Sequence, residues 1–108
     1  MQEIDLDTAA RALEAGSFNF LRRCEDLSLR MSGTRWHLAE RTPEILTFRP
    51  GTPSDTPQEA EMTLALADVD RITWDRLPRQ EKRSQIRFHL RNGELWTFSG
   101  TVDPSLLG

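Results

Sequence analysis

The chain has 108 residues, 37% of them hydrophobic, which is enough to fill one core and argues for a single domain over 1–108. No apolar run approaches the ~20 residues of a membrane-spanning helix, and the opening MQEIDLDTAARALEAG is acidic where a secretory signal would be basic and then apolar. A net charge of −3 argues against nucleic acid as a partner, and a single cysteine, unable to close an internal disulfide, points to a reducing, cytoplasmic setting.

Asp7-Thr8 before AARALEAG reads as a helix cap, since either side chain can accept from the free N–H groups of a first turn. Ala, Leu and Arg favour the helix interior and Gly16 is a natural stop. Ser17 reads as the cap of a further turn because Phe20, Cys24 and Leu27 recur at helical spacing, so helix is expected over about 7–24. From Leu27 the period changes to two. Leu27, Leu29 and Met31 are expected to point inward, opening an antiparallel sheet that runs from about 27 to 100. Ser32-Gly33-Thr34 is a turn, Trp36 and Leu38 resume the inward set, and Thr42-Pro43-Glu44 breaks before a strand at Ile45–Phe48. Pro50–Pro57 is a proline-rich loop. Met62, Leu64 and Leu66 mark a further strand, Ile72 and Trp74 another, and Arg76–Arg83 an exposed connection. Asp103-Pro104 has the form of a helix start, either one terminal turn or an element of a longer protein.

The stretch IRFHLRNGELWTF, from Ile86 to Phe98, is the most readable. Asn92-Gly93 suggests a two-residue turn, but that register would mix the faces, setting Phe88 against Thr97. A three-residue loop, Arg91-Asn92-Gly93 with Gly93 left-handed, sets Leu90 against Glu94, Phe88 against Trp96 and Ile86 against Phe98. One residue of slip exchanges the faces of a strand, so burial favours the second register. Ile86, Phe88, Leu90, Trp96 and Phe98 then line a core, and Arg87, His89 and Arg91 point outward.

Charge is segregated. Arg76, Arg79, Lys82, Arg83, Arg87 and Arg91 face only Glu81 within 76–91, whereas 55–70 holds Asp55, Glu59, Glu61, Asp68 and Asp70 with no base. Thirteen arginines against one lysine fit the coding bias of a GC-rich, bacterial genome more than they fit a ligand.

One helix and six or seven short strands suggest an α+β domain with a strongly bent antiparallel sheet or partial β-barrel. AEMTLALADVDRITWD, a basic loop and IRFHLRNGELWTFSG resemble the middle of pleckstrin-homology-like and GRAM-like domains, in which a strand leads into a V-x-x-I segment and then a hairpin ending in an aromatic. Val69 and Ile72 hold that spacing and Phe98 the aromatic place, over roughly residues 27 to 100. The chain departs from the pattern in lacking the long C-terminal helix that plugs the family's barrel. Leu6, Leu13, Phe18 and Leu21 of the N-terminal segment are expected to cover that open end instead.

No catalytic, metal or cofactor set assembles. Cys24 follows two arginines that can depress a thiol pKa, but its spacing from Phe20 and Leu27 reads as a buried structural thiol. His37 and His89 fall on outward strand faces with no further ligand at metal spacing, the glycines are isolated, and the Glu25-Asp26 and Asp68/Asp70 pairs lack an apolar setting. A non-enzymatic protein-interaction module is therefore expected, binding another protein or a second copy through a sheet edge and surplus apolar residues such as Leu95 and Ile45 or Leu46. Two alternatives stand beside it. One is an anionic ligand, a lipid headgroup or nucleic acid, held by the outward Arg87, His89 and Arg91 and by Arg30 and Arg35 beside the turn at 32–34, where the resemblance places phosphoinositide-binding basic residues. The other is a small acidic chaperone-like subunit with a hydrophobic groove.

Overall fold

The computed structural model describes residues 2–31, 34–51, 61–76 and 83–102. Along them run β1 (Gln2–Ile4), α1 (Leu6–Ala15), β2 (Asn19–Arg23), β3 (Leu29–Met31), β4 (Trp36–Arg41), β5 (Ile45–Pro50), β6 (Met62–Ala65), a 3₁₀ turn (Leu66–Asp68), β7 (Val69–Arg76), β8 (Arg83–Leu90) and β9 (Leu95–Thr101). The α+β, antiparallel expectation holds, with nine strands among the described residues where six or seven were expected. They do not make one bent sheet. A six-stranded sheet in the order β1-β7-β8-β9-β2-β3 and a three-stranded one, β4-β5-β6, form the fold without closing into a barrel. Sheet begins at Gln2, well before residue 27. The residues at 32–33, most of the 50–57 loop, the connection at 77–82 and the helix start at 103–104 lie outside the described residues.

α1 starts one cap earlier than expected: Asp5 accepts from the Thr8 N–H at 2.7 Å, placing Asp7 and Thr8 in the first turn. Its inner stripe is Ala9, Ala10, Ala12 and Leu13, all buried, and it packs mainly on β4. Gly16 ends it as expected. The helical turn expected after Ser17 is instead β2. Phe18 and Phe20 are buried while Asn19 is exposed, so the operative period is two, and Phe20 pairs with Phe98 of β9. Phe18 also exchanges two backbone hydrogen bonds of 2.8 Å with Trp36, joining the entrance of β2 to β4 of the other sheet. Among the described residues there is no closed barrel end for the four N-terminal residues to cover; Leu13 and Phe18 are instead in the core and Leu6 packs against it, but Leu21 faces away.

β3 reverses its expectation. Leu27, Leu29 and Met31 are 71%, 64% and 79% exposed, because β3 is the edge of its sheet and its outward alternation is set by pairing with β2. The β8–β9 hairpin has the three-residue register: Ile86 pairs with Phe98 and Phe88 with Trp96, and Gly93 has φ +94°. Thr42 ties the β4–β5 turn by accepting from the Glu44 and Ile45 N–H groups. Leu66, expected in a strand, opens the 3₁₀ turn.

The core is aromatic. Phe98 stacks on Phe48 of β5 at 4.7 Å and meets Phe20 at 5.0 Å and Phe88 edge-on at 5.8 Å, so this ring cluster spans the two sheets. Among the described residues no helix is long and apolar enough to cross a membrane.

Beside this cluster Gly100 lies under Phe18. A Cβ there would sit 2.7 Å from the Phe18 ring and 2.9 Å from the Ser17 carbonyl oxygen, whereas one at Gly16 would meet only ordinary contacts from 3.6 Å. Gly100→Ala should therefore lower unfolding stability by about 1–3 kcal/mol, and Gly16→Ala should leave it nearly unchanged. Urea denaturation of the two variants checks the contrast.

Candidate functional site

Two hairpins end the six-stranded sheet on one side, and they share one loop. In the first, Cys24 N–H donates to Ser28 O at 2.8 Å and Leu27 N–H to Cys24 O at 2.9 Å; in the second, Leu90 N–H donates to Glu94 O at 2.9 Å and Gly93 N–H to Leu90 O at 3.1 Å. The middle loop residues match too. Asp26 Oδ1 accepts from Ser28 N–H at 3.0 Å, and Asn92 Oδ1 from Glu94 N–H at 2.9 Å. The difference is the left-handed position, which is Gly93 in one loop and Leu27, at φ +67°, in the other. A leucine pays a steric penalty there that a glycine does not, and strain of this kind concentrates at functional places.

The loops are cross-tied. Asn92 Nδ2 donates to Glu25 Oε1 and to Glu94 Oε2, each at 2.8 Å, and Arg22 Nε donates to Glu94 Oε1 at 2.5 Å. Arg22 also lies over the Trp96 ring, 5.5 Å from its centroid. The Arg22 guanidinium, with help from Asn92, holds the largely buried Glu94 carboxyl below its usual range against the opposing effect of burial. These groups satisfy one another.

The outer face of the same sheet is different. Pairing sets Arg23, Leu95, His89 and Arg71 in one row across β2, β9, β8 and β7, and Met31, Leu21, Thr97, Arg87 and Thr73 in the next. Leu21, Leu29 and Leu95 floor a cavity of about 230 Å³ whose rim carries Arg23, Arg87 and Gln85. Arg87 is paired with Asp75 at 3.6 Å and Arg91 with Asp70 at 3.7 Å, but Arg23 and Arg71 have no ion pair among the described residues. Between them His89 Nε2 lies 2.8 Å from Thr73 Oγ1. Burial, then the nearby Arg71, Arg87 and Arg23, push its imidazole below the ordinary value, with Asp70 pulling the other way.

Of the residues singled out in the sequence, Arg87 and His89 share this face, and Arg91 stands at its hairpin end, where it donates to Ala67 O at 3.1 Å. Arg30 projects from β3 to the opposite side, across from Arg22, and Arg35 precedes β4 of the other sheet, so the two do not join the row. Leu95 is on the face as expected, Ile45 is exposed on the other sheet and Leu46 is buried. His37 is separated from His89 too; its Nδ1 lies 2.9 Å from Gly51 O, within the reach of β4–β5. Cys24, expected to be buried within a helix, is half-buried at the end of β2. Sequence reasoning missed Arg23, Arg71 and Leu27. The first two join the row only through strand pairing, and the loop signature of Asp26-Leu27-Ser28 was masked by a helical spacing. No family model, curated protein or solved structure matches the chain.

Two expectations follow for stability. Leu27→Gly relieves the left-handed strain while losing little packing, so it should stabilise the fold by about 0.5–1 kcal/mol in urea denaturation. His89 binds its proton less readily folded than unfolded, so the stability it contributes is present above the unfolded value of about 6.5 and is lost as pH falls from there through the folded value. Denaturation midpoints measured between neutral pH and pH 5 should fall, and His89→Gln should flatten that slope, whereas the depressed carboxylates of Asp26 and Glu94 act only at lower pH.

Proposed function

We propose that the protein is a non-enzymatic protein-interaction module, of pleckstrin-homology-like type, that binds through the outer face and β3 edge of its six-stranded sheet. The observation that carries this reading is the apolar patch on that edge. Leu27, Leu29 and Met31 are largely exposed and continue inward through Leu21 and Leu95 into the outer-face cavity. Water contact with so contiguous an apolar strip is unfavourable, and covering it with a partner removes that cost. Among the described residues β3 has a neighbour on one side only, and its other edge offers backbone groups to a further strand. The pleckstrin-homology-like part rests on the Val69 and Ile72 spacing and on the β8–β9 hairpin with Phe98 in the aromatic place. The single cysteine supports a reducing, cytoplasmic setting.

A second reading, an anionic ligand, is favoured by one observation, the cations Arg23, Arg71 and Arg87 on the outer face beside His89. It draws no support from Arg30 and Arg35, which are held apart from that row.

The test is the double variant Leu29→Glu/Met31→Glu, which charges exposed positions and leaves the core alone. The unmodified protein should retain a discrete partner from native lysate, or show a dimer mass in light scattering, and the variant should lose it with an unchanged melting temperature. Equal behaviour of the two proteins would refute the reading.

A further inference from the structure

Resting on the interaction reading, we infer that the partner is an acidic segment of another protein, which places a large apolar side chain in the Leu21–Leu29–Leu95 cavity and carboxylates against Arg23 and Arg71. Three observations converge on it. The cavity, about 230 Å³, is lined by Leu21, Leu29 and Leu95 together with Arg23, Gln85, Arg87 and Thr97, a mixture that suits an apolar side chain flanked by acidic groups. Of the acidic residues on the outer side, Asp75 is engaged with Arg87 and Asp70 with Arg91, and Glu3 lies opposite Thr73 in the adjacent row, which leaves Arg23 and Arg71 as the charges of their own row without an ion pair among the described residues. Those two guanidiniums bracket Leu95 and His89 across three strand spacings, about 14 Å, with the apolar cavity toward the Arg23 end. An extended segment of about five residues spans that distance, so one apolar residue with acidic residues on both sides matches the face.

The same charges argue against a second copy of this chain. Two outer faces brought together would gather the Arg23 and Arg71 of both copies, none of them ion-paired among the described residues, into one interface, and crowding like charges there is costly. An acidic partner instead gains attraction that steers its approach and weakens with salt.

The probes are three labelled pentapeptides read by fluorescence anisotropy on the full chain: one with a central Phe between Asp-Glu pairs, one with Asn-Gln pairs in their place, and one with Ser replacing the Phe. The acidic Phe peptide should bind saturably at low salt and weaken at physiological salt, and the other two should bind at least about fivefold more weakly. Arg23→Glu/Arg71→Glu should lose about tenfold in affinity for the acidic peptide and keep the wild-type melting curve; Arg23→Gln/Arg71→Gln serves if the reversed charges impair folding. Equal affinity for acidic and neutral peptides, no binding of any peptide, or affinity indifferent to both arginines would overturn the acidic-partner assignment. Partner capture that depends on Leu29 and Met31 but not on Arg23 and Arg71 would overturn it while leaving the interaction reading in place. Loss of both dependences would remove the two together.

Discussion

The contact on which the rest depends is the stack of Phe98 on Phe48. Phe98 belongs to β9, at the middle of the six-stranded sheet, and Phe48 to the central strand of the other sheet, so their rings carry the attraction between the two layers. Everything outward of the stack follows from which side of β9 it occupies. With Phe98 and Trp96 turned to the core, Thr97 and Leu95 must turn away, and the pairing then carries Arg87, His89, Leu21 and Arg23 to the outer side with them. The candidate surface is thus the reverse of the core, its composition decided by the same alternation.

The parts of the fold legible in the sequence were those whose signals are local and agree with each other. In IRFHLRNGELWTF the alternation, the Asn-Gly pair and the aromatic positions admit only one register that buries all three aromatic rings together, and that register is present. The capped helix at the N-terminus was legible for the same reason, to within one turn at its start. Phe18 to Leu27 was not, because Phe20, Cys24 and Leu27 satisfy a helical period by coincidence while the pairing partner that makes Phe20 a strand residue, Phe98, lies far along the chain. The inward reading of Leu27, Leu29 and Met31 failed on a related point. Alternation says which residues share a face but not whether that face is covered, and among the described residues β3 is the edge strand of its sheet.

The site was less legible than the fold. Arg87 and His89 could be placed on one face from their own strand, but Arg23 and Arg71 reach the same row only through two further pairings, and no local pattern announces them. The outward arginines also divide into engaged and unengaged ones according to neighbours, Asp70 and Asp75, that sequence proximity alone does not assign. Leu27 is the instructive case. A loop whose twin uses glycine carries a leucine at the left-handed position, and that side chain is open to solvent, a combination that no local sequence pattern announces.

The hydrogen bond from Asn92 to Glu25 has a consequence for how this end of the molecule meets anything else. It couples the tips of two hairpins that are distant in sequence, and the Arg22–Glu94 pair repeats the coupling one step inward. The loop that leads from β2 into β3 is thereby fixed to the neighbouring hairpin, and β3 itself is paired along its length with β2. Clamped in this way it stands as a preshaped ledge, and whatever settles on it need not spend affinity on freezing the ledge first.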